Sequence, residues 1–151
     1  MSKLTMLGNI TAKQDCLGDG NRGVGKSNVF GDGEWAGEPD LLEFEAFGFK
    51  CEAKRHDDLG HLCGYITVGA DHPWHALSYE DVGADVHGDL TFSEEGKFGF
   101  DCAHAGDIVP KMYHLKTDDF GETYKGMGYV VGELIKLAKQ AKEASDGQES
   151  N

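Results

Sequence analysis

Apolar and polar residues alternate along the middle of the chain. Between residues 47 and 54 every second position is apolar, and the positions between hold glycine, lysine or glutamate. A period of two predicts a half-buried strand, and residues 41–46 are its expected hairpin partner. Residues 61–68 form an apolar run of β-branched and aromatic residues, which predicts a central strand.

The C-terminal part of the chain has a helical period instead. Its apolar residues recur three or four positions apart, and lysines lie on the opposite face. This pattern predicts a helix over residues 129–145, followed by a frayed tail over residues 146–151. The apolar positions are Val130, Leu134, Leu137, Ala138 and Ala141, and the lysines are Lys136, Lys139 and Lys142.

Two short apolar and aromatic runs, residues 86–92 and 98–100, flank the turn sequence Ser93-Glu94-Glu95-Gly96. This arrangement predicts a β-hairpin. We expect residues 69–85 to form a long loop and residues 108–128 to be irregular. Strands followed by one helix predict an α+β fold, in which a small, mostly antiparallel β-sheet is packed by a single C-terminal α-helix.

The first 37 residues differ in composition from the rest of the chain. Glycine recurs through them and apolar residues are sparse. We therefore expect a weakly structured N-terminal segment over residues 1–37, with one short strand over residues 4–10. The composition changes at Pro39, and residues 38–145 are expected to form a single domain.

One motif in this segment matches the phosphate-binding P-loop pattern. It reads Gly20-Asn21-Arg22-Gly23-Val24-Gly25-Lys26-Ser27. A P-loop requires a strand directly before the first glycine and a helix that starts at the lysine. The flanking residues predict neither element, so we interpret the motif as a chance match in a glycine-rich segment.

The charge of the chain limits its partners. It contains 27 acidic and 14 basic residues, for a formal net charge of −13. Because nucleic-acid binding depends on neutralising phosphates with lysine and arginine, direct binding to nucleic acid is not expected. No apolar run approaches the roughly 20 residues of a membrane-spanning helix, and the N-terminus lacks the pattern of a signal peptide. We expect a cytoplasmic protein that does not bind a membrane.

The four cysteines contain no C-x-x-C pair. Without an export signal, reduced thiols are expected rather than a disulfide framework. Three of them, Cys51, Cys63 and Cys102, fall on predicted strands, where a free cysteine is usually a small buried apolar residue.

Polar groups able to do chemistry cluster at the two ends of the predicted hairpin. His87 and Thr91 lie near its start, and Asp101, His104 and Asp107 follow its second strand. In a hairpin these two ends are neighbours, so the side chains are expected to lie close together. Imidazole and carboxylate groups bind Zn²⁺ or Mn²⁺, and they also serve as acid–base pairs. The alternative is that these residues only satisfy loop amides and carbonyls.

A second pair of histidines, His72 and His75, encloses a proline and a tryptophan in the loop over residues 69–85. Long loops in compact domains often carry function. This loop is therefore a candidate lid or wall for the same ligand-binding pocket, and a packed structural loop is the alternative.

Several short motifs occur in a defined order between residues 38 and 142. The longest is Gly99-Phe100-Asp101-Cys102-Ala103-His104-Ala105-Gly106-Asp107. The others are Glu38-Pro39-Asp40, Leu59-Gly60-His61-Leu62-Cys63-Gly64-Tyr65, His72-Pro73, Asp85-Val86-His87-Gly88, Leu90-Thr91, Tyr124 and Tyr129-Val130.

With these motifs the chain resembles a family of small uncharacterised proteins found largely in bacteriophages and prophages. The chain departs from the family at Asp89, where glycine is usual, and at Gly69, where proline is usual. The N-terminal 37 residues lie outside the resemblance. The resemblance implies a viral protein made in the bacterial host cytoplasm, and it implies no particular reaction.

The sequence is compatible with three functions. The first is a non-enzymatic phage accessory protein that binds a small polar or nucleotide-like ligand and so counteracts a host defence. The second is a metal-dependent hydrolase, such as a phosphodiesterase, that uses His87, Asp101, His104 and Asp107 as ligands. The third is an acidic inhibitor that mimics DNA and covers a basic surface of a host protein. The sequence favours the first, with a small molecule or a host protein as partner.

Overall fold

The computed structural model describes residues 13–15, 33–115 and 123–149, and its centre is an antiparallel β-sheet of six strands in the order β1-β2-β3-β4-β6-β5. Every neighbouring pair in this sheet is antiparallel. The strands are β1 (Lys13–Asp15), β2 (Leu41–Ala46), β3 (Phe49–Arg55), β4 (Leu62–Thr67), β5 (Phe92–Glu94) and β6 (Lys97–Asp101). The helices are α1 (Tyr79–Val82), a 3₁₀ helix (Pro110–Leu115) and α2 (Met127–Glu149).

Helix α2 covers one face of the sheet. Its apolar residues Val130, Leu134 and Leu137 are fully buried against the strands. The helix comes so close to the sheet that a Cβ atom at Gly64 would lie 3.2 Å from Leu134 Cδ2 and 2.5 Å from Phe100 Cε1. The predicted α+β fold, with one C-terminal helix packed on an antiparallel sheet, is confirmed.

The period-two pattern correctly predicted the buried face of β3, but not Phe47, which lies in the turn before β3 with a φ of 54° and is exposed. On β3 the side chains of Cys51 and Ala53 point to the helix and are fully buried, whereas Lys50 and Lys54 are exposed on the other face. The cysteines at 51, 63 and 102 are free and buried, as predicted. Burial raises the pKa of the Cys51 thiol to about 12 and that of Cys63 to about 11, so both remain protonated at neutral pH.

Several boundaries differ from the prediction. The predicted first hairpin strand over residues 86–92 is wrong over most of its length, because Gly88 and Asp89 have φ angles of 65° and interrupt the extended backbone. Helix α2 begins at Met127 and continues through Asp146 to Glu149, beyond the predicted frayed end. Strand β1 lies in the segment predicted to be loop. The predicted strand over residues 4–10 and the P-loop match lie outside the described residues.

A buried ionic network joins the start of the domain to the start of α2. All five N–H groups of the Arg55 guanidinium donate to acceptors: Asp40 Oδ1, Gly60 O, Tyr124 OH, Glu38 Oε1 and Pro39 O. Glu38 also accepts hydrogen bonds from Tyr124 OH at 2.6 Å and from the backbone N–H of Met127 at 2.9 Å. Since every guanidinium donor is used, Arg55 stabilises the fold and offers nothing to a ligand.

Candidate functional site

The loop before β5 positions His87. The side chains of Val86 and Leu90 are buried and hold the loop on the core, and the Asp89 N–H donates to Val86 O at 2.9 Å to close a tight turn between them. This turn directs His87 towards the loop that follows β6 and towards the first turns of α2.

His87 has three polar contacts. Its Nε2 lies 2.8 Å from Asp107 Oδ2, and its Nδ1 lies 2.8 Å from Tyr129 OH. Its backbone N–H donates to Glu133 Oε1 at 2.8 Å. Tyr129 and Glu133 are one helical turn apart on α2, so the helix fixes both the ring and the backbone of His87.

Asp107 is the buried centre of the cluster, with 6% of its surface exposed. Oδ2 accepts the backbone N–H of His104 at 3.0 Å, and Oδ1 lies 3.0 Å from Lys125 Nζ. Burial opposes ionisation of this carboxyl, but the hydrogen bonds from His87, from the His104 backbone and from Lys125 outweigh it and lower its pKa. Because ionised Asp107 can only accept, His87 donates to it from Nε2, and in the neutral ring Nδ1 is then the acceptor for the Tyr129 hydroxyl.

His104 completes the cluster. Its ring lies against Gly88, where an added Cβ would be only 2.4 Å from His104 Cε1. Nδ1 lies 3.8 Å from Asp107 Oδ2 and 3.4 Å from Asp101 Oδ1. This nitrogen is buried and has no hydrogen-bond partner among the described residues, which is unusual for a buried polar atom.

The cluster brings three potential metal ligands together. Each of His87, His104 and Asp107 offers one ligand atom, and these three atoms lie within 4.8 Å of one another. Two imidazoles and a carboxylate are a common ligand set for Zn²⁺ and for other divalent transition metals. In a tetrahedral site with bonds of about 2.0–2.1 Å the ligand atoms lie about 3.3 Å apart. The separations of 2.8 Å and 3.8 Å from Asp107 Oδ2 to His87 Nε2 and His104 Nδ1 bracket this value.

Asp101 and Thr91 lie on the neighbouring open face of the sheet, opposite to α2. Both line a groove of about 390 Å³ whose walls include Tyr65, Phe92 and His61. Asp101 therefore borders both the groove and His104, while Thr91 belongs to the groove. The structure thus divides the five hairpin residues predicted to form one pocket into a cluster and an adjacent groove.

His72 and His75 lie away from this cluster. His72 is buried, with Nε2 2.7 Å from Ala141 O and Nδ1 accepting the Trp74 N–H at 2.9 Å. Ala141 is twelve residues beyond Tyr129 on α2, which is about 18 Å along the helix axis. The expectation that this loop forms a lid over the pocket is therefore wrong, and His72 is a packed structural residue.

His75 lies beside Gly96, at the turn end of the β5–β6 hairpin. This is the end of β6 opposite to Asp101, so His75 also lies outside the cluster.

Three residues around the cluster were not predicted as site residues. Tyr129, Glu133 and Lys125 come from the start of α2 and the segment before it. In the sequence, Tyr129 is a large aromatic residue off the apolar face of the helix and belongs to the Tyr129-Val130 motif; in the structure it is 41% exposed.

No helix in the described part of the chain is both long and apolar enough to cross a membrane. Comparison of the chain with protein-family models, with curated proteins and with solved structures gives no match. The resemblance to phage proteins therefore stays a prediction, and function has to be argued from the geometry of the site.

Proposed function

We propose that the protein is a metal-dependent hydrolase whose metal is held by His87 Nε2, His104 Nδ1 and Asp107 Oδ2. The observation that carries this proposal is the convergence of one ligand atom from each of the three residues within 4.8 Å, with His104 Nδ1 buried and without a hydrogen-bond partner among the described residues. A proton relay through Tyr129, His87 and Asp107 alone would leave His104 without a role.

The groups around the three ligands support this proposal. Metal-binding histidines usually hydrogen-bond through their second ring nitrogen, and metal-binding carboxylates are held by further donors. His87 has Tyr129 at its second nitrogen, at 2.8 Å. Asp107 is held by Lys125 and by the His104 backbone.

A divalent cation at this position would lower the pKa of a water molecule and so provide a nucleophile at neutral pH. With a metal held at Nε2, His87 would carry its proton on Nδ1 and would donate it to the Tyr129 oxygen, 2.8 Å away. Tyr129 would then be able to give its hydroxyl proton to a leaving group. Burial, together with Glu133, raises the pKa of this phenol and keeps it protonated. Lys125 Nζ, 3.0 Å from Asp107 Oδ1, would place a positive charge beside the reacting group.

Zinc and manganese titration of the purified protein tests the site. We expect about one ion per chain in the wild type, and loss of this binding in His104→Ala. His75→Ala is the matched control, because it removes another partly exposed histidine from the far end of the hairpin. Circular dichroism of all three proteins checks that they are folded.

Equal metal affinity in the wild type and in His104→Ala would contradict the site. If the expected pattern is found, chromogenic phosphodiester and ester substrates follow, with metal-dependent turnover as the expected result. Bound metal without turnover of either substrate class would contradict hydrolysis while leaving the metal site intact.

A second candidate is the retention of a small polar or nucleotide-like ligand without chemistry. The observation that favours it is the groove beside the cluster, which contains Thr91 and Asp101. In a phage protein such a ligand would be a signal molecule of the host, and its removal would counteract a host defence. A thermal shift with nucleotides or cyclic dinucleotides that persists in His104→Ala would support this candidate over the hydrolase.

A further inference from the structure

The open face of the sheet contains a groove built around a glycine. Gly99 lies on β6 between Tyr65 on β4 and Phe92 on β5, and it pairs with both residues. A Cβ atom at Gly99 would lie 2.6 Å from Tyr65 Cδ1, so only glycine lets the tyrosine ring lie across the strand. The two rings meet edge to face at 5.8 Å and form an aromatic wall.

The groove has a polar end. Asp101 and His61 lie there, beyond the aromatic wall. His61 is only 3% exposed, and its Nδ1 has no hydrogen-bond partner among the described residues. Burial, with the neighbouring His56, lowers the pKa of His61 to about 4, so its ring is neutral at pH 7.

This polar end is continuous with the proposed metal site. Asp101 Oδ1 is 3.4 Å from His104 Nδ1, and Ala103 continues the lining of the groove along the same loop. The groove volume of about 390 Å³ is at the lower end of the range for small-molecule sites, which begins near 300 Å³. It is large enough for one ring system with a short substituent.

We propose that this groove binds a planar heteroaromatic ring with N–H donors, such as a nucleobase, and presents its substituent to His87, His104 and Asp107. Aromatic walls bind rings by stacking, and the Asp101 carboxylate accepts N–H donors but repels anionic rings. This inference rests on the proposed hydrolase function and defines its substrate class as nucleoside-like compounds.

Adenosine is the probe, with benzoate as an anionic ring that has no N–H donor. Binding is measured by saturation-transfer NMR and calorimetry on the full chain in the presence of a chelator. We expect adenosine to bind and benzoate to bind far more weakly. Phe92→Ala should weaken adenosine binding at least about fivefold, as expected for the loss of one stacking partner.

Two further variants separate the contributions. Asp101→Asn should reduce the preference for adenosine over benzoate. Phe47→Ala is the matched control, because Phe47 is 42% exposed and Phe92 is 38% exposed, and it should bind adenosine as the wild type does. Adenosine affinity that is the same in the wild type and Phe92→Ala would overturn the proposal.

Metal titration of the same proteins separates the two proposals. Metal binding without adenosine binding would overturn the groove and leave the hydrolase proposal intact. Adenosine binding that is sensitive to Phe92→Ala, in a protein that binds no metal, would support the groove as a ring site and overturn the hydrolase.

Discussion

Replacing Gly88 with alanine should disrupt the metal site by more than it destabilises the fold. Gly88 has a φ of 65°, and a left-handed backbone costs an L-residue about 1–2 kcal/mol. Alanine also restricts the unfolded chain, which offsets about 0.4–1 kcal/mol of this cost. The net loss in the free energy of unfolding from backbone strain is therefore at most about 1.6 kcal/mol.

The position of His104 adds a second effect. The new Cβ atom would lie 2.4 Å from His104 Cε1, whereas carbon atoms pack at about 3.5–4.0 Å. The imidazole must therefore move by about 1 Å, and metal–ligand distances tolerate only about 0.2 Å. We expect metal affinity to fall by at least the 10- to 100-fold that loss of an outer-shell partner typically costs.

Gly83→Ala is the matched control for this experiment. Gly83 has a similar φ of 71°, and a Cβ atom there would meet nothing within 4 Å. Urea unfolding followed by tryptophan fluorescence should show similar destabilisation in the two variants. Zinc titration against a chromophoric chelator should show weakened binding only in Gly88→Ala, and equal zinc affinity in the two variants would refute the reasoning.

Three other substitutions test separate parts of the structure. Arg55→Met should lower the free energy of unfolding by about 3–5 kcal/mol, because it removes one partner of a buried ion pair. Lys54→Met, which replaces an exposed neighbouring residue, should change the free energy of unfolding by less than about 0.5 kcal/mol. Similar urea midpoints for the two variants would contradict the stabilising role of the Arg55 network. Tyr129→Phe removes the hydroxyl 2.8 Å from His87 Nδ1 and should weaken zinc binding about tenfold in the chelator competition, with little change in stability. Burial and His56 lower the pKa of His61 from 6.5 to about 4. The unfolded chain therefore takes up a proton at His61 before the folded chain does, and about 2 kcal/mol of stability is lost as the pH falls from 7.5 to 5. Urea titrations at each pH should show a smaller loss in His61→Asn, and an unchanged pH dependence would refute this assignment.

The strands and the long helix could be predicted because their signal is local. A period of two along β3 and a helical period along α2 each determine which face is apolar, and the apolar face of each element is buried in the fold. The same local reasoning predicted that the polar groups at the two ends of the hairpin are neighbours, and His87 does contact Asp107.

The roles of single polar residues could not be predicted in this way. Arg55 ends a strand and has no pattern that distinguishes it from an exposed charge, yet it is 1% exposed because Glu38, Asp40 and Tyr124 surround it. His72 resembles a ligand in the sequence, yet it hydrogen-bonds to the helix at Ala141. In both cases the partners are distant in the chain.

By itself, the sequence determined the α+β class, the strands β2, β3, β4 and β6, the long helix and the approximate location of the site, because periodicity and turn residues act over a few neighbouring positions. Only the tertiary structure showed that His87, His104 and Asp107 converge, that Tyr129 supports them from α2, and that Thr91 and Asp101 line an adjacent groove. These relations depend on the left-handed turn at Gly88 and on contacts between residues twenty to forty positions apart, such as His87 with Asp107 and with Tyr129. No local pattern encodes such contacts, because they form only when the loops and the helix pack together on the sheet.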